Sequence, residues 1–246
     1  MMKVFVLLVA ALVGCAQAVV DGEFAEKGQF PYQVVLTHKV KLHCGGVLVH
    51  ERFVLTAAHC FFDGETQFPE KAFRVFFGSE RLMMGGQFRN VKTFYVHEEF
   101  DHQTFKYDLA LIELSKPAQF SDYVEFVTVN GTPFAFDDSV TFTGFGRTSE
   151  EENTSYKLKY NTLTAFTTEE CKNYLGDAFY EGALCFHNQE GHSGACFGDY
   201  GGPAVFENSV VGVASYTFGG ACGGEQPDVF VDAGFFHDWV EEKLNA

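Results

Sequence analysis

Short apolar or alternating runs recur along the whole chain: Gln33–Thr37, Val47–Val49, Phe53–Ala57, Phe73–Phe77, Leu109–Leu114, Val124–Val129, Val140–Thr143, Pro203–Phe206, Val210–Ser215 and Val229–Val231. Gly, Pro, Asn and Asp punctuate them. Many short strands at this spacing read as an all-β sandwich or barrel. Helical pattern is scarce. Thr168–Tyr174 reads as one short helix with Thr168 as its N-cap. Phe236, Trp239, Val240 and Leu244 form an apolar stripe at helical spacing, a docked terminal helix over about 234–245. The polar stretch Thr148–Tyr156 reads as an exposed loop. No internal repeat or heptad pattern is present.

The first 18 residues change the picture of where the protein works. Lys3, the apolar run Val4 to Val13 and the small-residue motif Ala16-Gln17-Ala18 read as a secretory signal peptide. The apolar run is shorter than the roughly 20 residues a membrane span needs. The expected product is a secreted, extracellular chain over residues 19–246. The formal net charge of -16 for the full 246-residue sequence argues against nucleic acid or an anionic membrane as partner. Solubility is the simplest use of that charge. The chain has 29 Phe against one Trp, so most Phe must lie in the core and some are available to an interface. Cys15 leaves with the leader. Cys44, Cys60, Cys171, Cys185, Cys196 and Cys222 remain, an even set that predicts disulfides in an oxidising compartment. Spacing alone does not choose the pairing, and no C-x-x-C suggests zinc. The sequons at Asn130 and Asn153 are glycosylation candidates.

Three segments carry chemistry, in this order: Leu55-Thr56-Ala57-Ala58-His59-Cys60, then Tyr107-Asp108-Leu109-Ala110-Leu111-Ile112, then Cys196-Phe197-Gly198-Asp199-Tyr200-Gly201-Gly202-Pro203. Acyl-transfer proteases need a nucleophile, a histidine base, an orienting carboxylate and backbone N–H donors for the oxyanion. The three segments resemble the His, Asp and Ser boxes of the trypsin/chymotrypsin serine protease family. Phe30-Pro31-Tyr32-Gln33-Val34, Cys44-Gly45-Gly46-Val47-Leu48 and Thr143-Gly144-Phe145-Gly146-Arg147 fit the same family. The resemblance implies two packed six-stranded Greek-key β-barrels, the first over about 30–118 and the second over about 119–232, followed by the C-terminal helix. It also implies the pairings Cys44–Cys60, Cys171–Cys185 and Cys196–Cys222.

The departures decide the expected function. Tyr200 stands where the Ser box of this family has its nucleophile, so His59 and Asp108 are read as a base and an orienter without a client. By resemblance, Gly198 and the N–H of residue 200 form a vestigial oxyanion loop. Gly194, Thr217 and Asp228 occupy the substrate pocket, where Gly194 replaces the acidic floor residue, Asp228 stands at a wall and Thr217 stands at the mouth. The Tyr200 ring is expected to narrow or fill that pocket. Signal cleavage exposes Val19, which the resemblance pairs with Asp199 without an activation cut. No metal and no cofactor are expected; the loop around Glu80 lacks the clustered carboxylates of a calcium site. A secreted, acidic, Phe-rich chain with a broken Ser box looks like the scabies-mite inactivated protease paralogues. That resemblance implies binding of host complement proteins outside the old cleft. A decoy for protease inhibitors, a cofactor of a protease cascade and a residual protease are the alternatives.

Overall fold

The computed structural model describes residues 19, 22–131, 134, 139–147, 149, 153–188, 192 and 194–245. Residues 1–18, the Thr132 hydroxyl of the Asn130 sequon and most of the polar stretch 148–152 lie outside the described residues. Both sequon asparagines are exposed.

Alternating β-branched and aromatic runs separated by turn residues give twelve main strands. The first six are β1 (Gln33–His38), β2 (Lys41–His50), β3 (Phe53–Thr56), β4 (Phe73–Phe77), β5 (Gln87–Val96) and β6 (Ala110–Leu114). They close in the order 1-2-3-6-5-4, with every pair antiparallel. The second six are β7 (Ser139–Gly144), β8 (Lys159–Ala165), β9 (Ala183–Asn188), β10 (Pro203–Phe206), β11 (Ser209–Thr217) and β12 (Asp228–Asp232). Pairing of β8 with β9 closes these in the order 7-8-9-12-11-10. The two rings repeat one topology although their sequences show no repeat. Closure removes the unpaired edges that an open sheet would expose.

Phenylalanine fills both interiors. In the first barrel Phe61 stacks on Phe94 at 4.0 Å and meets Phe73 edge-on at 5.1 Å. In the second, Phe230 takes Phe142 and Phe186 edge-on at 5.4 and 4.9 Å. The quadrupole of the ring favours such offset and T-shaped contacts. Phe24, Phe120, Phe197 and Phe235 remain exposed. The three disulfides join Cys44 to Cys60, Cys171 to Cys185 and Cys196 to Cys222.

One helix boundary differs from the sequence reading. α1 (Thr168–Leu175) is capped by Thr167, because only Thr167 has Glu170 three residues on to close a capping box. α2 (His237–Leu244) ends the chain and buries Val240 beside Phe236, with Trp239 and Leu244 half-covered. These residues pack on Leu55, Leu109 and Leu111 of the first barrel and on Val213 and Val231 of the second. That shared apolar cluster fixes one barrel against the other.

Phe61→Ala removes a fully buried ring with stacked partners and should destabilise the fold by about 3–5 kcal/mol in urea denaturation. A loss below about 1 kcal/mol would mean that the first barrel does not depend on its aromatic core.

Candidate active-site cleft

His59 sits in a single 3-10 turn, Ala58–Phe61, that follows β3. The neighbouring Cys60 ties this turn to β2 through Cys44. Asp108 lies just before β6, preceded by Tyr107 with a φ of 57°. A bulky residue in the left-handed region is strained and is held there by its surroundings. The His59 Nδ1 to Asp108 Oδ2 distance is 2.7 Å, and the His59 backbone N–H donates to Oδ1 at 2.8 Å. Ser215 Oγ donates to Oδ2 from β11 at 2.5 Å. Asp108 is fully buried and accepts three hydrogen bonds. The carboxylate therefore fixes the orientation of the imidazole and leaves Nε2 toward the cleft.

Tyr200 comes from the turn between Cys196 and β10. Its carbonyl accepts from the Gly45 N–H of β2 at 2.8 Å. Close approach is possible here because Gly45 and Gly202 face each other: a side chain on Gly45 would strike the Gly202 backbone. The Tyr200 ring meets the His59 ring edge-on, at 6.0 Å between centroids, and packs on the core of the second barrel. Its hydroxyl lies 3.4 Å from Thr217 Oγ1, which donates to Asp228 Oδ1 at 2.7 Å. The single proton of Thr217 goes to the carboxylate, so Tyr200 is the donor to Thr217. Burial raises the Tyr200 phenol above its ordinary value.

Thr217 and Asp228 are a cross-strand pair of β11 and β12. The other Asp228 oxygen accepts from the Gly194 and Ala195 N–H groups at 2.6 and 2.8 Å. Asp228 is fully buried, and burial pushes its pKa up to about 7. Gly194, Thr217, Asp228 and Tyr200 thus meet in one place, and the carboxylate is committed to internal donors rather than presented to a ligand.

Asp199 is the second buried acid. It accepts from Gly146 N at 2.6 Å and Cys196 N at 3.2 Å. Gly144 and Gly146 must lack side chains, because a Cβ at either would overlap its carboxylate. Burial pushes its pKa up to about 8, and no cation faces it among the described residues. Val19 is fully buried and belongs to the apolar cluster of the second barrel that includes Phe142 and Phe230.

The cleft between the barrels has a volume of roughly 550 Å³. Beside His59 and Tyr200 it is lined by Phe62, Phe105, Phe197, Tyr216 and Arg147. Sequence reasoning assigned none of these five to the site and also missed Ser215; Phe197 and Arg147 entered only as members of family motifs. They come from separate segments that only the packing of the barrels unites. The backbone N–H groups of Gly198 and Tyr200 donate to no other described residue. Cys44, His59 and Cys60 form the metal-like cluster among the described residues, but both sulfurs are consumed by the disulfide.

The raised carboxyls give a pH signature. Asp228 and Asp199 titrate in the fold near 7 and 8, above the ordinary 3.8. The folded state therefore holds these protons more tightly than the unfolded chain. The stability they contribute is complete below about pH 4 and is lost as pH rises through about 7 and 8. With residues 1–18 still attached, Tm should fall between pH 5 and pH 9, and Asp199→Asn should flatten part of that fall. A Tm that rises over this range contradicts the assignment.

Residues 19–240 match the family model described as Trypsin. Serine protease SP24D of Anopheles gambiae is 34% identical over 226 residues, covering 92% of this chain and 81% of that protein. Trypsin 5G1 of Aedes aegypti is 34% identical, covering 87% and 80%. Among solved structures, neuropsin, a serine protease expressed in the limbic system of mouse brain, superposes with a TM-score of 0.82 at 26% identity, covering 92% of this chain and 99% of that one. Human heparin binding protein superposes with a TM-score of 0.81 at 27% identity, covering 92% and 96%. With its two barrels, its His59–Asp108–Ser215 network and these likenesses along almost its whole length, the chain belongs to the trypsin-like serine protease family.

Proposed function

We propose that the chain is a secreted, non-catalytic member of this family that acts by binding proteins, host complement components among them, through surface outside the cleft. The observation that carries this reading is Tyr200, at the position where the family has its nucleophilic serine. A phenol hydroxyl lies several ångströms further from the backbone than a serine oxygen, and here it is tied to Thr217. Losing the catalytic serine costs about 10⁶-fold in kcat in a well-studied relative mechanism. Secretion is supported by the leader-like first 18 residues and three disulfides. No helix among the described residues is long and apolar enough to cross a membrane. The complement partner rests on the resemblance to the scabies-mite inactivated paralogues.

The buried position of Val19 supports a further part of the reading. Release of residues 1–18 frees an ammonium at Val19 that supplies the missing cation for Asp199. Removing one partner of such a buried pair costs about 3–5 kcal/mol. The inhibitor-decoy alternative is weaker. An inhibitor loop needs side-chain space beyond the cleft, and the Tyr200 ring and Thr217 occupy it.

Purified 19–246 is expected to leave a peptide library uncut and to bind no benzamidine, because the Asp228 oxygens are already committed. Tyr200→Ser should recover at most weak cleavage, without preference for Lys or Arg. Cleavage by the unmodified chain above a mock-purified control overturns the non-catalytic reading. Failure to reduce complement haemolysis overturns the complement partner alone. Terminal sequencing of the secreted chain should begin at Val19, and a different first residue removes the proposed ion pair.

A further inference from the structure

Acidic residues are unevenly shared along the chain. Residues 119–246 hold twenty Asp and Glu against five Lys and Arg, whereas residues 30–118 hold ten of each. The first barrel is thus close to neutral, and cations that cluster on it are not masked by acids of its own. Such a cluster lies at one end of its outer face. β1 and β4 pair Thr37 with Arg74 and His38 with Phe73, and one step further the Lys39 N–H donates to the Ala72 carbonyl at 3.4 Å. β4 and β5 pair Arg74 with Asn90. Side chains alternate along a strand, so Arg74, Asn90 and Lys92 share the face opposite the core residues Val75 and Val91. Lys71 joins them from the 3-10 turn Glu70–Ala72 that precedes β4.

Lys71, Arg74, Asn90 and Lys92 line a groove of roughly 630 Å³ that shares no lining residue with the cleft between the barrels. All four are exposed, as is Lys39 beside them. Glu70 is the acid of the lining; Asp63 and Glu65 lie on the preceding 62–67 hairpin, outside it. Lys92 is held by Glu113 at 2.7 Å, whereas Lys39, Lys71 and Arg74 form no ion pair with a described carboxylate. The Arg74 guanidinium rests on the Phe88 ring at 4.5 Å, which orients it without neutralising it. Like charges on neighbouring strands repel, and an anion seated between them removes that repulsion.

We propose that this groove binds a short stretch of sulfated polysaccharide. The planar Arg74 fork donates to two oxygens of one sulfate, and the Lys71 and Lys39 ammonium groups donate to sulfates along the chain. The Asn90 amide serves sugar hydroxyls, since it both donates and accepts. A chain fits better than a lone ion, because the cations spread over three adjacent strands about 5 Å apart. The choice of sulfate over phosphate rests on the secreted setting proposed for the protein. A duplex or a bilayer would also meet the acidic surface of the second barrel, and a few linked sugars avoid it.

The first arm of the test compares ligands on the unmodified secreted chain, so folding of variants does not enter. A chondroitin sulfate tetrasaccharide, the unsulfated chondroitin tetrasaccharide that keeps its carboxylates, and inositol hexakisphosphate are titrated into it by calorimetry. The sulfated sugar should bind at least about tenfold tighter than the unsulfated one, the worth of one charge-assisted hydrogen bond. Its affinity should fall about tenfold between about 50 and 200 mM salt, as expected when about two to three cations are neutralised. In the second arm, Arg74→Gln and Lys71→Gln, both at exposed positions, should each weaken binding severalfold. Lys172→Gln, on α1 of the second barrel, should leave it unchanged. Equal affinity for the two sugars, no binding of either, or an equal loss in Lys172→Gln overturns the proposal. Tighter binding of the hexakisphosphate also overturns it, and a secreted chain that still begins at Val19 then leaves the reading of a secreted protein standing.

Discussion

Everything in this molecule that bears on function depends on one apolar contact, the cluster shared by the two barrels. Leu55, Leu109 and Leu111 from the first barrel meet Val213 and Val231 from the second, and α2 seals them with Phe236 and Val240. Neither barrel holds a site alone. His59 and Asp108 belong to the first, and Ser215, Thr217, Tyr200 and Asp228 to the second. The hydrogen bond from Ser215 to Asp108 crosses the seam, and so does the Gly45 N–H to the Tyr200 carbonyl. These polar links are short because nonpolar burial has already set the separation. Burial drives the association, and the hydrogen bonds fix its register.

On this frame, the change at position 200 reorganises more than one residue. A tyrosine brings a ring that must be buried somewhere, and the nearest cavity is the side-chain pocket. There its hydroxyl needs a partner, and Thr217 supplies one. Thr217 in turn donates to Asp228, whose remaining valence is taken by two backbone N–H groups. The result is a closed hydrogen-bond chain where a ligand would otherwise compete. His59 and Asp108 keep their geometry, since Asp108 answers to the His59 backbone and Ser215 as well as to the ring. A buried carboxylate with three donors is costly to disturb whether or not catalysis depends on it.

The two raised carboxyls give different lessons. Asp228 lacks a cation but has backbone and side-chain donors to replace one. Asp199 has only two N–H donors and sits between glycines that leave no room for another side chain. No cation faces it among the described residues, and the ammonium proposed at Val19 would be the one it lacks.

Several features were legible in the sequence because local chemistry sets them. Nine of the twelve main strands were legible as short apolar or alternating runs bounded by turn residues; β5, β8 and β9 were not, and the run Val124–Val129 holds only the two-residue strand Thr128–Val129. The C-terminal helix follows from the stripe Phe236, Trp239, Val240 and Leu244. The boxes around His59, Asp108 and Tyr200, together with the cysteines, carried the family resemblance and the disulfide pairing. The cap of α1 was misplaced by one residue, since Thr167 and Thr168 are equivalent until Glu170 selects one through its reach. What the sequence could not determine is which distant residues share a wall. Phe62, Phe105, Arg147, Phe197 and Tyr216 are far apart in the chain, and nothing in their local pattern says that they face one cleft. The direction of the Tyr200 ring and the internal commitment of Asp228 were likewise decided only when two closed barrels packed together. A side chain's partners across a seam are set by three-dimensional packing, and periodicity along one strand carries no information about them.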